Sequence, residues 1–290
     1  MCVKNSAGII GEAIESIINQ DYSHELMEIV FVDDGSEDGT LSVMESFASK
    51  LDMRLKVFHH DWKGLGFSRN VVVNNANGEY IIWVDGDMTL YPDFVRKQVE
   101  FMDANPTVGI GKGKYCLFDQ GNLVGDLENM EFATSNLRKR GKYSPLPLGA
   151  GGAAYRVKAI KQVGGFDQNL VGSGEDMDAE HRVSNLGWLL DVTSAMFYER
   201  RRKTWGSLWK EYFWHGTGNS HIFQKRMEMI SPYKLFPFVA LKVEAGRVGA
   251  AYKLTRRKVA LLLPMHYAFK RTAWLLGFIK GLLEKQVVES

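Results

Sequence analysis

Two short acidic clusters each follow a run of apolar residues and could carry chemistry. Asp33-Asp34 comes directly after residues 28–32, and Asp85-Gly86-Asp87 comes directly after residues 80–84. Neighbouring carboxylates repel one another unless a cation joins them, and oxygen ligands favour Mg²⁺ or Mn²⁺ over Zn²⁺. A divalent ion in such a place commonly holds a diphosphate. The alternative is purely structural, since loop aspartates also end strands and cap helices.

Both acidic clusters belong to a pattern of alternating strands and helices. β-branched and aromatic runs predict strands, and apolar residues at helical spacing predict the helices between them. Strands that alternate with helices imply a parallel sheet, and ligands bind beyond the carboxyl ends of its strands. We therefore expect both clusters at one edge of a sheet. The predicted strands are residues 28–32, 55–59 and 80–84, and the predicted helices are 9–18, one beginning near 38–40, and 67–75.

Composition and glycine spacing exclude several classes of protein. The 290 residues are 45% hydrophobic and 24% charged, which is typical of a globular chain and not of a disordered or collagen-like one. Cys2 and Cys116 fit no disulfide framework and no metal-ligand spacing. No G-x-G-x-x-G turn follows the first strand, and no P-loop occurs. The sequence therefore argues against an NAD-binding fold and against ATP held by backbone amides.

An ordered set of motifs resembles family 2 glycosyltransferases of the GT-A fold. Each motif alone is weak, but their order and spacing over roughly residues 1–220 are specific. The strand that this family has before Cys2 is almost missing here. The resemblance implies an α/β chain with a mostly parallel central sheet flanked by helices, a catalytic domain over residues 1–230 and a helical extension over 231–290. The motifs are Val32-Asp33-Asp34-Gly35-Ser36-x-Asp38-Gly39-Thr40, Asp85-Gly86-Asp87, Gly149-Ala150-Gly151-Gly152, Gly164-Gly165-Phe166-Asp167 and Gly174-Glu175-Asp176-x-Asp178.

The resemblance implies a metal-dependent, inverting transfer of a sugar from a nucleotide-diphosphate donor to an acceptor hydroxyl. Asp33 would accept hydrogen bonds from the base, which is uracil if the donor is a UDP-sugar, the donor we expect. The cofactor would be Mn²⁺ or Mg²⁺, bound by Asp87 with help from Asp85, where it offsets charge on the leaving diphosphate. The nucleotide-binding set implied by the resemblance is Asn5, Asp33, Asp34 and Asp85.

The resemblance also assigns the reacting side chains. Asp176 would be the general base that deprotonates the acceptor hydroxyl, and Glu175 would position the acceptor. Gly151 and Gly152 would let the backbone pass close to the donor sugar without a Cβ clash. A structural role is compatible with this one, because acidic residues such as those at 175–178 favour the first turn of a helix.

Two other classes of function remain open. Residues 81–89 also match the D-x-D-x-T loop of haloacid-dehalogenase-like phosphatases, in which Asp85 would attack phosphorus and Asp87 would act as acid and base. That motif normally opens its fold, whereas here a βαβ segment with its own acidic cluster precedes it. The chain could also be a sugar-nucleotide-binding protein with a decayed active site, although Asp85, Asp87 and Asp176 are intact.

Four consecutive cations, Arg200, Arg201, Arg202 and Lys203, are candidates for contacts with donor or lipid phosphates. The alternative is a solvated basic face. The aromatic-rich stretch 205–218 that follows resembles enzymes that extend lipid-linked saccharides. The Q-x-x-R-W motif of processive relatives is absent, which favours a single sugar addition over polymer synthesis.

The last 60 residues differ in charge from the rest of the chain. Residues 231–290 contain 11 basic and 3 acidic residues, a net charge of +8, against −6 for residues 1–230. We expect an amphipathic helix over 266–284 to lie on an anionic membrane surface. Its polar side would run through His266, Lys270, Ala273, Gly277, Lys280 and Glu284, and its opposing apolar side through Leu275, Leu276, Phe278, Ile279, Leu282 and Leu283.

This tail suggests where the protein acts. We expect a cytoplasmic protein, peripheral on the inner face of the cell membrane, with a lipid-linked or saccharide acceptor. A helical pair that packs on the catalytic domain or forms a dimer is the alternative. The cations alternate with aliphatic residues and form no exposed stripe, so we expect no nucleic-acid partner.

Overall fold

The computed structural model describes residues 1–48, 51–135, 148–170, 172–229 and 237–284. The chain divides into two compact units, which we call the α/β unit and the helical unit. The α/β unit comprises the described residues of 1–116, 140–169 and 175–199, and the helical unit those of 117–139, 170–174 and 200–290. The boundary expected at residue 230 falls inside the helical unit, because the helix before it packs against the last helix of the chain.

The strands of the α/β unit form two sheets. The first is parallel with the order β1-β2-β3, and Val32 on β2 lies between Cys2 and Phe58. The second has the order β4-β7-β6-β8-β5. The strands are β1 (Cys2–Val3), β2 (Glu28–Asp34), β3 (Arg54–His60), β4 (Tyr80–Ile82), β5 (Met88–Leu90), β6 (Val108–Tyr115), β7 (Ala153–Arg156) and β8 (Leu189–Glu199).

The fourth strand departs from the sequence prediction. Strand and helix alternation placed β4 in the same parallel sheet as β2, but β4 pairs antiparallel with β7, where Ile81 lies opposite Tyr155. In the second sheet only β6 and β8 are parallel, and the other pairs are antiparallel. Local sequence predicts a strand but not its partner, because the partner is distant along the chain.

The helices agree closely with the predicted ones where predictions exist. Glu175, predicted to begin a helix, is the first residue of α7. The helices are α1 (Ile10–Ile18), α2 (Thr40–Ser46), α3 (Leu65–Asn75), α4 (Phe94–Ala104), α5 (Leu123–Ser135), α6 (Val157–Gln162), α7 (Glu175–Asn185), α8 (Trp205–Lys225), α9 (Pro237–Thr255) and α10 (Leu263–Leu283), with 3-10 turns at His24–Leu26, Met227–Met229 and Lys258–Leu262.

Strand β2 explains where the core of the α/β unit lies. Ile29 and Phe31 belong to one buried cluster, which also contains apolar residues of α1, whereas Val30 and Val32 belong to a second cluster. Successive side chains of a strand point to opposite faces, so both faces of this sheet are covered. The apolar run therefore continues without interruption until the chain reaches the polar edge at Asp33.

The helical unit is organised by the contact between α8 and α10. The backbones approach closely at Gly277, where a Cβ atom would collide with the carbonyl oxygen of Phe213 on α8. Part of the side of α10 predicted to face lipid headgroups is instead internal, since His266 and Lys270 are buried, whereas Lys280 and Glu284 on that side are exposed. Within the described residues, none of the helices has both the length and the hydropathy required to cross a bilayer.

Candidate active site

Asp33 and Asp34 end strand β2, and both are buried. Asp33 accepts a hydrogen bond from the Ser36 hydroxyl, and His59 Nδ1 lies 2.8 Å from its Oδ2 atom. Asp34 accepts backbone hydrogen bonds from Lys63 at 2.8 Å and from Gly64 at 3.1 Å. These carboxylates hold the loops that follow β2 and β3 at the end of the parallel sheet. Their predicted contacts with a nucleotide stay a prediction.

Asn5 is tied to the loop that follows Asp33-Asp34. Its backbone N–H donates to Ser36 Oγ at 2.9 Å, and its side-chain oxygen accepts from the Glu37 N–H at 2.9 Å. One residue later, Ser6 meets the second acidic cluster, because a Cβ atom on Gly86 would lie 3.5 Å from Ser6 Cβ. The segment after β1 therefore connects the loop after β2 with the turn that carries Asp85 and Asp87.

The turn between β4 and β5 carries Asp85 and Asp87. Its backbone is closed by a hydrogen bond of 3.1 Å from the Met88 N–H to the Asp85 carbonyl. Both aspartates are partly exposed. Two carboxylates on one turn form an oxygen-only donor set, which suits a hard divalent cation. The residues present at this turn therefore fit the predicted ion.

The glycine-rich loop at 149–152 brings Asp85 and Asp176 together. The Ala150 N–H donates to Asp176 Oδ2 at 3.1 Å, and a Cβ atom on Gly151 would lie 2.5 Å from Asp85 Oδ2. Gly152 has a φ of +71°, and any side chain there would collide with the ring of Phe197. Two carboxylates that are 91 positions apart in sequence therefore lie against the same three-residue stretch of backbone.

Lys112 on β6 supports this loop from within the core. Its ammonium group donates to the carbonyl of Gly149 at 3.1 Å and also to that of Gly151. The side chain is buried. A buried cation bonded to two backbone carbonyls fixes the direction in which the loop N–H groups point, including the one that binds Asp176. Sequence reasoning missed this residue.

Asp176 and Glu175 differ in their surroundings although they are adjacent at the start of α7. Asp176 is partly exposed, and its second oxygen accepts from the Met177 N–H at 2.8 Å. Glu175 is buried and forms an ion pair with Arg69 of α3. Asp176 is therefore the more accessible carboxylate, as a general base must be. A role for Glu175 in positioning the acceptor stays a prediction.

Arg69 is a second buried cation at the site, and sequence reasoning missed it too. Its guanidinium group is buried and lies 5.5 Å from the ring centres of both Trp83 and Phe166. Burial alone would lower the pKa of Arg69, but the carboxylates of Glu175, Asp176 and Asp85 raise it. The available sequence signal was that Arg69 is the one charged residue of α3.

Residues 1–164, more than half of the chain, match the family model described as "Glycosyl transferase family 2". The chain belongs to glycosyl transferase family 2. The matched residues include Asp33, Asp34, Asp85, Asp87 and the glycine-rich loop, whereas Glu175 and Asp176 lie beyond them. The Asp85-Gly86-Asp87 turn is thus part of a glycosyl transferase pattern, and the phosphatase alternative has no support from this match.

Individual relatives of this family 2 member match either most of the chain at low identity or about a third of it at higher identity. Glycosyltransferase AglE of Haloferax volcanii is 22% identical over 238 residues, which is 81% of this chain and 75% of AglE. The first curated relatives that this chain matches are uncharacterized glycosyltransferases, and the chain spans only 15% to 32% of their length.

Solved structures show the fold of the chain. A mannosyltransferase from Pyrobaculum calidifontis, PcManGT, solved in complex with GDP-Man and Mn²⁺, is similar with a TM-score of 0.72 over 98% of this chain and 86% of that one, at 20% identity. Residues 1–349 of TarS from Staphylococcus aureus, in complex with UDP-GlcNAc, are similar with a TM-score of 0.53 over 96% of this chain and 89% of that one, at 16% identity. The fold is therefore the predicted GT-A fold.

Two buried carboxyl groups at the family 2 site have raised pKa values. Burial raises the pKa of Glu175 to about 7, although the Arg69 charge acts in the opposite direction. Burial, followed by the charge of Asp176, raises the pKa of Glu180 to about 8. Glu180 also accepts a hydrogen bond of 2.6 Å from the Leu148 N–H, just before the glycine-rich loop. Protonated Glu180 leaves less negative charge around Asp176 at neutral pH.

The four residues predicted to contact a diphosphate, Arg200 to Lys203, belong to the helical unit. Arg202 Nε donates to Glu211 Oε2 at 2.6 Å, and the Arg201 guanidinium lies 3.9 Å from the ring centre of Phe132. Arg200 and Lys203 are exposed. Contacts of these four residues with a diphosphate stay a prediction.

A second acidic group, in the helical unit, resembles a metal site by spacing alone. Ligand atoms of Glu128, Glu131 and His266 lie within 4.8 Å of one another. The Lys270 ammonium group is bonded to both carboxylates, at 2.6 Å for Glu131 Oε2. A side-chain cation therefore already neutralises this cluster, and these residues do not fit a metal ion. The candidate metal ligands remain Asp85 and Asp87.

Proposed function

We propose that this family 2 member transfers a sugar from a nucleotide-diphosphate donor to an acceptor hydroxyl, with inversion at the anomeric carbon. One observation carries the proposal: the glycine-rich loop lies against Asp85 at Gly151 and donates a hydrogen bond to Asp176 from the Ala150 N–H. This places a candidate metal ligand and a candidate base next to the same stretch of backbone. A transfer reaction needs both beside the donor sugar.

In the proposed reaction, an acceptor oxygen attacks the anomeric carbon as its proton passes to the Asp176 carboxylate. A new C–O glycosidic bond forms, and the bond between the anomeric carbon and the diphosphate oxygen breaks. The nucleoside diphosphate leaves with that bonding pair. Mn²⁺ or Mg²⁺ held by Asp85 and Asp87 would offset negative charge on the diphosphate. Each Asp176 oxygen accepts one backbone hydrogen bond, which leaves a lone pair on each for the proton.

The donor and the acceptor are proposed by class. PcManGT was solved with GDP-Man and TarS with UDP-GlcNAc, and on the sequence we favour a UDP-sugar. The acceptor is a lipid-linked or free saccharide, to which one sugar is added. Membrane association at the cytoplasmic face is part of the same proposal, because the C-terminal 60 residues are basic and rich in apolar side chains.

Donor binding and catalysis are tested separately. Thermal shift measurements with UDP-, GDP- and dTDP-sugars, each with and without Mn²⁺, should show stabilisation by one nucleotide class that depends on the metal. Asp87→Ala should abolish the metal-dependent part of this shift. Asp176→Asn should retain the shift and lose sugar transfer to an acceptor extract. Stabilisation without any turnover would indicate a decayed enzyme, and loss of donor binding in Asp176→Asn would remove Asp176 from the role of base.

A further inference from the structure

Helix α10 carries its polar residues on the inside of the helical unit. His266 and Lys270 are buried, and Lys270 bonds Glu128 and Glu131 of α5. Gly277 lies on the same side, in contact with the backbone of α8. The side of the helix that a sequence pattern assigns to water is thus used in packing from His266 to Gly277, whereas Lys280 and Glu284 at its C-terminal end are exposed. Large apolar residues on the opposite side are exposed.

The exposed side of α10 is a stripe of large apolar residues, which we call the outer stripe. Its members are Leu261, in the 3-10 turn just before α10, and Met265, Leu276, Ile279 and Leu283 on α10, with exposed fractions of 65%, 56%, 46%, 45% and 79%. From Met265 to Leu283 they recur on one face of the helix over about 27 Å, at 1.5 Å per residue. Soluble monomers rarely expose an apolar surface of this length, and such a surface marks an interaction site.

The polar residue between Met265 and Leu276 on this face, Thr272, fits an apolar environment. Thr272 lies seven residues after Met265 and four residues before Leu276, and its hydroxyl donates to the Ala268 carbonyl at 2.9 Å. The donor is therefore satisfied within the helix and does not require water. No charged side chain interrupts the outer stripe between Met265 and Leu276, because Lys270 points inward and Arg271 donates to the Tyr267 hydroxyl at 2.7 Å.

Exposed cations surround the N-terminal end of the outer stripe. Lys253, Arg256, Arg257 and Lys258 are all exposed and directly precede Leu261. Arg257 forms an ion pair with Asp126, with 2.6 Å between a guanidinium nitrogen and Oδ2. Residues 245–284 contain one acidic residue, Glu284, at the far end. An apolar face with a cationic end is complementary to an anionic lipid surface, where cations meet headgroups and apolar side chains enter the acyl boundary.

We propose that the outer stripe of α10 is a membrane-docking surface that lies flat in the interface of an anionic bilayer. This proposal rests on the proposed function, since it names the surface that performs the membrane association proposed there. The docking surface differs from the apolar side of the helix that the sequence predicts. Phe278, which the sequence assigns to the lipid side, is buried, whereas the exposed Leu261 and Met265 are part of the docking surface. The interaction is peripheral, with the helix axis parallel to the bilayer plane.

The test is co-sedimentation of the full chain with vesicles of phosphatidylglycerol or of phosphatidylcholine alone. We expect strong binding to the anionic vesicles and weak binding to the zwitterionic ones. Leu276→Glu/Ile279→Glu should weaken binding by about tenfold or more, because two apolar side chains no longer enter the acyl boundary. Lys253→Glu/Lys258→Glu should weaken binding to phosphatidylglycerol and reduce its dependence on salt.

The matched control is Leu26→Glu/Leu186→Glu, which changes two exposed leucines of the α/β unit, 70% and 56% exposed. This variant should bind vesicles like the parent chain, and thermal melting should show that each variant is folded. Unchanged vesicle binding in Leu276→Glu/Ile279→Glu would overturn the proposal. A second result would also overturn it. This is the case in which the parent chain binds no vesicles and forms a dimer by light scattering, and Leu276→Glu/Ile279→Glu is a monomer. Donor binding measured on the same proteins reports separately on the proposed function.

Discussion

Gly151 lies so close to Asp85 that a Cβ atom at this position would be 2.5 Å from Asp85 Oδ2. The preceding residue, Ala150, binds Asp176 through its backbone N–H at 3.1 Å. The absence of a side chain at one position therefore allows two carboxylates from distant parts of the sequence to approach one loop. Several consequences for binding and stability can be measured.

Gly151→Ala should disturb the position of Asp85, because the added methyl group and the carboxylate cannot occupy the same space. We expect the affinity for a nucleotide sugar in the presence of Mn²⁺ to fall by about tenfold or more. Isothermal titration calorimetry measures this. The control is Gly11→Ala in α1, where the nearest atom to a new Cβ is 4.0 Å away on Phe47, and affinity should not change. Equal affinities for both variants would contradict the role of Gly151.

Glu180→Gln should change how stability depends on pH. Burial and Asp176 raise the pKa of Glu180 to about 8 from its ordinary 4.5. The folded chain therefore binds more protons than the unfolded chain between these values, so the free energy of unfolding falls as pH rises through this window. The glutamine variant lacks this loss, and it should gain stability relative to the parent by up to about 1.4 kcal/mol per pH unit. Thermal melts from pH 5 to 8 test this, and parallel curves would refute it.

Lys270→Met should destabilise the helical unit. It leaves the buried Glu128 carboxylate without its ammonium partner, and Glu131 keeps Arg247 at 3.7 Å. Breaking a buried ion pair in this way costs about 3–5 kcal/mol. Urea denaturation measures the loss. The matched control is Lys280→Met on the same helix, where the side chain is 56% exposed and pairs with Glu284, and the cost should be within about 1 kcal/mol. Adding Glu128→Gln to Lys270→Met should recover part of the loss.

Gly277→Ala should also destabilise, because a methyl group there collides with the backbone of Phe213 on α8. The same substitution at Gly249 in α9, where a new Cβ has no atom within 4 Å, should stabilise by about 0.5–1 kcal/mol through helix propensity. Opposite signs in the two melting temperatures are expected. If both variants were stabilised, α8 and α10 could not be in close contact at this glycine.

Short stretches of the amino-acid sequence specify the local features of this protein. The acidic clusters, the glycine-rich loop and the helix start at Glu175 are each specified by a few adjacent residues. The resulting family assignment and GT-A fold were both confirmed. Hydrophobic periodicity located β2, β3 and α3 within a few residues of their positions in the structure. These features depend on backbone preferences and on burial of one segment at a time, which a linear pattern records.

Contacts between side chains that are distant in sequence depend on the three-dimensional fold. Arg69 and Glu175 are 106 positions apart, and no local pattern connects them. The inward and outward sides of α10 were likewise undetermined, since a side with lysine, histidine and glycine can face water or an interior that supplies carboxylates. Glu128 and Glu131 of α5 supply them, so the polar side of α10 turns inward. Burial of a charge depends on its partner, and the partner is placed by the fold.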